Sequence, residues 1–235
     1  MPHSHLTTEQ RSGVLVVTVD DGKANAFSTS LLTELAGLLA QAETDRSIGS
    51  MVIAGNGSAF FAGFDLGVIR GGDRAAIAEL VSAGGAFVRM CYGAGIPVVG
   101  AANGHAVAAG ALLLLGCDHR IGVEGPVKIG LNEVAIGLSL PGWAIAISQD
   151  RLSRRFLQRC VVDAELLDGG TAVGAGFLDE AVAADRVVDR AVEVAADLAD
   201  RLDPAAYRAT VRSLRGHVLA TMDAGIAADR EAAGL

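Results

Sequence analysis

The stretch KIGLNEVAIGLSLPG, residues 128–142, holds one acid, Glu133, among Ile129, Leu131, Val134, Ile136, Leu138 and Leu140, with no second carboxylate close by in sequence. A carboxylate surrounded by groups that cannot solvate it has its pKa raised, which suits an acid or base working near neutral pH. Structural networks perturb carboxylates too, so Glu133 alone does not decide between the two readings. Two glycine-containing turns supply a complement. In SAFFAGFDL, residues 58–66, the small Ala62 and Gly63 follow two phenylalanines, so a ligand can approach the backbone closely beside an apolar wall. In NGHAVAAGALLLL, residues 103–115, the turn ends at Ala108, Ala109 and Gly110, where an apolar helix begins. The first N–H groups of a helix lack intrahelical acceptors and carry partial positive charge. Two such N–H groups converging on one point would form an oxyanion hole for a carbonyl turning into an enolate. Small residues at a helix–strand crossing are also common in any α/β protein, so either turn alone carries little; the combination, in this order, is what has weight.

Other motifs fail. GNGSAFFAG starts like a dinucleotide fingerprint, but Phe60 stands where the third glycine belongs and no helical pattern follows. Neither a P-loop nor a GxSxG elbow is present. The run CDHR, residues 117–120, would point its side chains alternately to opposite faces of a strand, so it is not expected to ligate a metal. His105 reads as a packed loop histidine and Asp65 as a turn or cap residue beside the candidate site.

The elements that must position these groups alternate between strands and helices. A β-branched strand covers 13–19, and Leu31, Leu32, Leu35, Leu38 and Leu39 fall at helical spacing behind the N-cap candidate Ser28. Strands over 50–55, 97–103 and 118–123 alternate with helices over 73–95, despite its paired glycines, and about 109–116. The chain past 142 reads as mostly helical, with a clear amphipathic piece at 181–202 and Pro204 at its end. This divides the protein into an α/β core, residues 1–170, and a C-terminal helical lobe, residues 171–235.

At 235 residues the chain is long enough for a sizeable core. Its net charge of −8 and lack of a basic run argue against nucleic acid and against a membrane surface. Cys91, Cys117 and Cys160 show no CxxC spacing and read as buried thiols of a reducing compartment. With no signal-peptide layout in MPHSHLTTEQRSG and no apolar run of spanning length, a cytoplasmic location is expected.

The blocks AFFAGFDL, PVVGAANGHAVAAGALLLLGCDHRIG and KIGLNEVAIGLSLPG together resemble the successive signatures of the crotonase superfamily, the enoyl-CoA hydratase/isomerase family. KANAFSTSLLTEL, residues 23–35, is similar to that family's first CoA-contacting turn and helix, so the similarity runs from about residue 13 to about 180. The resemblance implies a ββα spiral core, homotrimers or dimers of trimers, and an acyl-CoA thioester as substrate, with no cofactor or metal beyond the CoA that the substrate carries. It places Ala62 and Ala109 as the oxyanion-hole donors and Lys23, Ala24, Ala26 and Phe60 around CoA, with Asp65 and Leu112 also at the CoA and acyl site. Hydratases of the family carry a second glutamate where this chain has Leu112. Hydration needs two groups to hold and protonate, whereas moving one proton along an allyl system needs one base. IGLNE followed by LPGW points the same way, resembling Δ3,Δ2-enoyl-CoA isomerases more than hydratases. Hydratase, hydrolase and decarboxylase activities, or a catalytically weak acyl-CoA-binding homologue, remain as alternatives. Alanine at 109 replaces the usual glycine, which is tolerable at negative φ and would cost roughly 1 kcal/mol at a left-handed one.

Overall fold

The computed structural model describes residues 5–235, so the first four residues of the N-terminal stretch lie outside the described residues. Strand β1 (Leu6–Arg11) pairs antiparallel with β2 (Val14–Val19) across the Ser12-Gly13 turn, where both residues have positive φ, as a two-residue hairpin requires. Ser28 caps α1 (Thr29–Thr44), its hydroxyl accepting from Leu31 N–H at 3.2 Å. There follow β3 (Ser50–Gly55), β4 (Ala59–Phe61), the short α2 (Leu66–Gly71), α3 (Arg74–Tyr92), β5 (Val98–Ala102), β6 (His105–Val107), α4 (Ala109–Gly116), β7 (His119–Val123) and β8 (Ile129–Gly130). The C-terminal third holds α5 (Gly142–Arg151), α6 (Arg154–Leu157), a π turn (Gln158–Val162), α7 (Gly169–Ala175), β9 (Glu180–Val182), α8 (Val187–Arg201) and α9 (Pro204–Ala233).

Two sheets organise the chain. The larger runs β1-β2-β3-β5-β7-β9, parallel except for its first pair. Its inner strands β2, β3, β5 and β7 are buried on both faces: Val14, Val16, Val52, Val99 and Ile121 face Val187, Ala191 and Ala195 of α8, while Val17, Met51, Ile53 and Val98 face the core shared with α1, α3 and α4. This two-sided burial explains the uninterrupted apolar runs in the sequence. The smaller sheet is β4-β6-β8, wholly parallel, with β6 in the centre.

The expected division at 170/171 does not survive. β9 completes the large sheet beside β7, and α8 covers that sheet, so residues 180–201 belong to the α/β core. The amphipathic stretch 181–202 therefore begins as strand, and Pro204 opens α9 rather than closing α8. Helix α9 packs against α3 and α5, where Arg215 pairs with the buried Asp118 at 2.7 Å and donates to Tyr92 O at 2.8 Å. Helix α3 is long and apolar enough to cross a membrane by composition, but its apolar face is buried against α1, α4 and α9. Its paired glycines let rings lie on its backbone: a Cβ at Gly84 would fall 2.6 Å from Phe64 Cζ, and one at Gly85 would fall 2.7 Å from Trp143 Cε2.

Candidate active site

The small sheet assembles the candidate groups. Its register sets Phe61 beside Ala106, Ala106 beside Ile129 and Val107 beside Gly130. Just past the carboxyl ends of these three parallel strands come Phe64, Ala109 and Glu133. The carboxyl ends of parallel strands are where α/β proteins place ligands, because loops there can vary without disturbing the ladder. Three strands of two or three residues are enough because β6 bonds to both neighbours and α4 packs over β4 and β6. Gly110, second in α4, permits this close crossing; a Cβ there would lie 2.8 Å from the carbonyl carbon of Phe61.

The donors differ from the expected pair in one member. Ala62 N–H is already bound to Ala24 O at 3.0 Å, so it is not available to a ligand. Next in the chain, Gly63 at φ +93 turns the backbone, and Phe64 N–H has no acceptor among the described residues. Gly63 O and Asp65 N–H bond back to Phe27 at 2.9 Å each, which fixes the peptide groups on both sides of Phe64. Ala109, first in α4, likewise has an N–H with no acceptor among the described residues. Strain arises one residue earlier than anticipated. Ala109 is not left-handed, whereas Ala108 sits at φ +53, ψ −124. Ala108 N–H donates to Gly130 O at 2.9 Å and its carbonyl accepts from Leu112 at 3.1 Å, so the strained residue is held from both sides.

Glu133 heads a single 3-10 turn, Val134–Ile136, its carbonyl accepting from Ile136 and Leu138 at 3.0 and 2.9 Å. Its Oε2 is buried with no hydrogen-bond partner among the described residues, as is Oδ1 of the adjacent Asn132. Burial raises the Glu133 pKa above the ordinary glutamate value, offset in part by the residue's own backbone N–H. Leu112, one turn into α4 from Ala109, is 1% exposed and brings no polar group.

The turn expected to meet CoA is built around Asp21. Burial pushes this carboxylate up, but backbone N–H groups of Asn25, Ala26 and Lys23 outweigh it and hold its pKa below the ordinary value. Asn25, at φ +55, donates its amide to Ala59 O and Phe60 O at 3.0 and 3.2 Å, stitching this turn to β4. Lys23 is exposed and Ala24 and Ala26 are half-buried, so these three can face a ligand. Phe60 cannot: it is 0% exposed and stands edge-on to Phe61 at 4.8 Å between ring centres, deep in the core. Asp65 caps α2, accepting from Gly67 N–H at 2.7 Å, and His105 Nδ1 accepts from Lys128 N–H at 2.9 Å. Asp65 is thus the cap residue anticipated, whereas His105 opens strand β6 rather than lying in a loop. Asp118 of CDHR is occupied by Val98 N–H at 2.8 Å and by Arg215, and no metal-ligand cluster exists among the described residues. Sequence reasoning missed Phe64; the signal was the glycine before it, since a positive φ reorients the next N–H.

Comparison with known proteins places the fold and the sequence in a family. The profile of the enoyl-CoA hydratase/isomerase family matches residues 9–233. A 2,3-dehydroadipyl-CoA hydratase of Escherichia coli K12 is 31% identical over 97% of this chain and 88% of its own. The structure of a probable enoyl-CoA hydratase, EchA3, from Mycobacterium tuberculosis H37Rv superposes with a TM-score of 0.93 at 34% identity, covering 99% of this chain and 97% of that one. That of human mitochondrial Δ3-Δ2-enoyl-CoA isomerase superposes with a TM-score of 0.91 at 26% identity, covering 98% and 90%.

Proposed function

The chain belongs to the enoyl-CoA hydratase/isomerase family, and from that premise we propose that it isomerises 3-enoyl-CoA thioesters to the conjugated 2-enoyl-CoA. The observation that carries this reading is the solitary Glu133, its Oε2 buried and unpartnered, with the apolar Leu112 in place of a second acid. The thioester carbonyl accepts from Phe64 and Ala109 N–H. Glu133 carboxylate removes a proton from the alpha carbon, C2, and that electron pair forms a C1–C2 double bond while the carbonyl π pair moves onto oxygen, leaving the C3–C4 double bond conjugated in a dienolate. C2–C3 becomes double only when the carbonyl re-forms and the C3–C4 pair takes up the proton at C4. The dienolate collapses, its gamma carbon takes the proton back from Glu133, and the base is regenerated. A raised carboxyl pKa serves both half-steps, because it makes the carboxylate a stronger base and lets the acid persist until it is needed. Each oxyanion donor is worth roughly 2.7–4 kcal/mol of barrier by analogy with other acyl-transfer sites. The scheme uses CoA only as part of the substrate and calls on no metal or redox group.

Hydration of 2-enoyl-CoA is the competing reading. It is favoured by the hydratase names among similar proteins and by the buried, unpartnered Asn132 Oδ1, an acceptor able to hold a water beside Glu133. Incubating the protein separately with 3-enoyl-CoA and 2-enoyl-CoA, and following products by mass and absorbance, separates the two. We also propose assembly into homotrimers or dimers of trimers in the cytoplasm; the apolar run Val134, Ile136 and Leu138, exposed by 45%, 57% and 43%, supports burial against another copy.

A further inference from the structure

Gly84 lies in the middle of α3, where glycine weakens a helix and alanine would ordinarily be preferred. The Phe64 ring rests directly on it: a Cβ at Gly84 would come within 2.6 Å of Phe64 Cζ, closer than carbon atoms pack. The ring is also braced by Phe27, 6.3 Å away between centres, and Phe27 is the residue whose backbone bonds flank Phe64. Ring and N–H thus belong to one residue clamped between α3 and the Phe27 strand bridge.

We propose that Gly84 is a positioning residue for catalysis: its bare backbone seats the Phe64 ring at the depth that aims Phe64 N–H at the thioester oxygen. This rests on the functional reading above, in which Phe64 N–H is an oxyanion donor. A methyl group at 84 must push the ring outward, and because Phe64 N–H lies in the same planar peptide as Gly63 O, a displaced Phe64 Cα strains the 2.9 Å bond from Phe27 N–H to Gly63 O and turns the donor with it. A donor aimed at charge that develops only in the transition state affects turnover more than ground-state binding.

Gly84→Ala is expected to lower kcat by at least about tenfold on whichever enoyl-CoA the unaltered protein turns over, with KM within about threefold, since small misplacements of catalytic groups are costly. In a Phe64→Ala background, where the ring is gone and the N–H remains, the same Gly84→Ala change costs less than about twofold. A residue that matters only to helix stability gives the opposite pattern: a higher Tm from the better helix former, and unchanged kcat. Full kcat in Gly84→Ala, or an equal loss in both backgrounds, overturns the proposal. Should Gly84→Ala fail to fold, Phe64→Trp overfills the same notch while leaving the sequence of α3 unaltered, and wild-type kcat in that variant overturns it equally. An unaltered protein that neither binds nor turns over an enoyl-CoA overturns the functional reading and this inference with it; an active one whose Gly84→Ala variant keeps its kcat overturns this inference alone.

Discussion

Gly63 and Ala108 meet back to back, a Cβ on Gly63 lying only 3.2 Å from the Ala108 methyl, and the residue after each, Phe64 and Ala109, carries an N–H without an acceptor among the described residues. Both turns have positive φ at the contact, +93 at Gly63 and +53 at Ala108. The same Ala108 is tied through its N–H to Gly130 O, in the segment that leads to Glu133.

Glu133→Gln keeps the shape and removes the base. Turnover is expected to fall by at least about 100-fold while CoA-thioester binding stays nearly intact. The acid limb of the kcat/KM profile in the unaltered protein should lie above the ordinary glutamate value, because the base must be ionised and burial raises its pKa. The sign for stability follows. A carboxyl whose folded pKa is raised contributes stability below its unfolded pKa and loses it as pH rises through the folded one. Gln should accordingly be the more stable variant at pH 7, with the difference shrinking toward pH 4, as urea midpoints will show.

Replacing the amide of residue 64 by an ester, through phenyllactic acid, deletes one N–H and leaves the ring. A fall of roughly 100- to 1,000-fold in kcat is expected. The same exchange at residue 62 removes the bond to Ala24 O, so there the midpoint of denaturation should drop while kcat changes little. Equal kinetic effects at both positions would remove Phe64 from the mechanism.

Ala108→Gly relieves a non-glycine residue at φ +53. The strain relieved, about 1–2 kcal/mol, exceeds the entropy that glycine adds to the unfolded chain, so a gain of about 0.5–1 kcal/mol in unfolding free energy is predicted. A loss would mean that the Ala108 methyl contributes more by packing on Gly63 than its backbone costs.

Arg215→Met leaves Asp118 charged and buried, with only 10% of its side chain exposed. A loss of up to roughly 3 kcal/mol is expected, since the carboxylate keeps Val98 N–H and the nearby Arg151 but loses its ion-pair partner. Double substitution with Asp118→Asn should recover part of it if the pair, rather than packing of the arginine stem, holds α9 against β7.

Glu133 was legible because one acid in an apolar run has few explanations, and the α4 turn because four leucines after small residues announce a buried helix. The strands β2, β3 and β5 were legible as nearly continuous apolar runs. β4, β6 and β8 were not, since two or three residues are too few to show a period, and their pairing is dictated by contacts distant in sequence. β1 is polar and depends on its hairpin turn. β9 hid in a stretch whose helical spacing belongs to α8. The donor at residue 64 is not legible: the resemblance and small side-chain size both point to Ala62, whereas the N–H that is free is set by the backbone angle at Gly63, which sequence does not display.

The central claim is that one buried carboxylate, with leucine rather than a second acid at position 112, moves a proton rather than adding water. Initial rates measured on one preparation, for conversion of 3-enoyl-CoA to 2-enoyl-CoA and for hydration of 2-enoyl-CoA of the same chain length, test it most directly. The account predicts that isomerisation is the faster by at least about tenfold, since a water beside Glu133 lacks the second acid that hydration uses. Hydration faster than isomerisation would contradict it, and would make Asn132 the first residue to examine as the missing water-holding group.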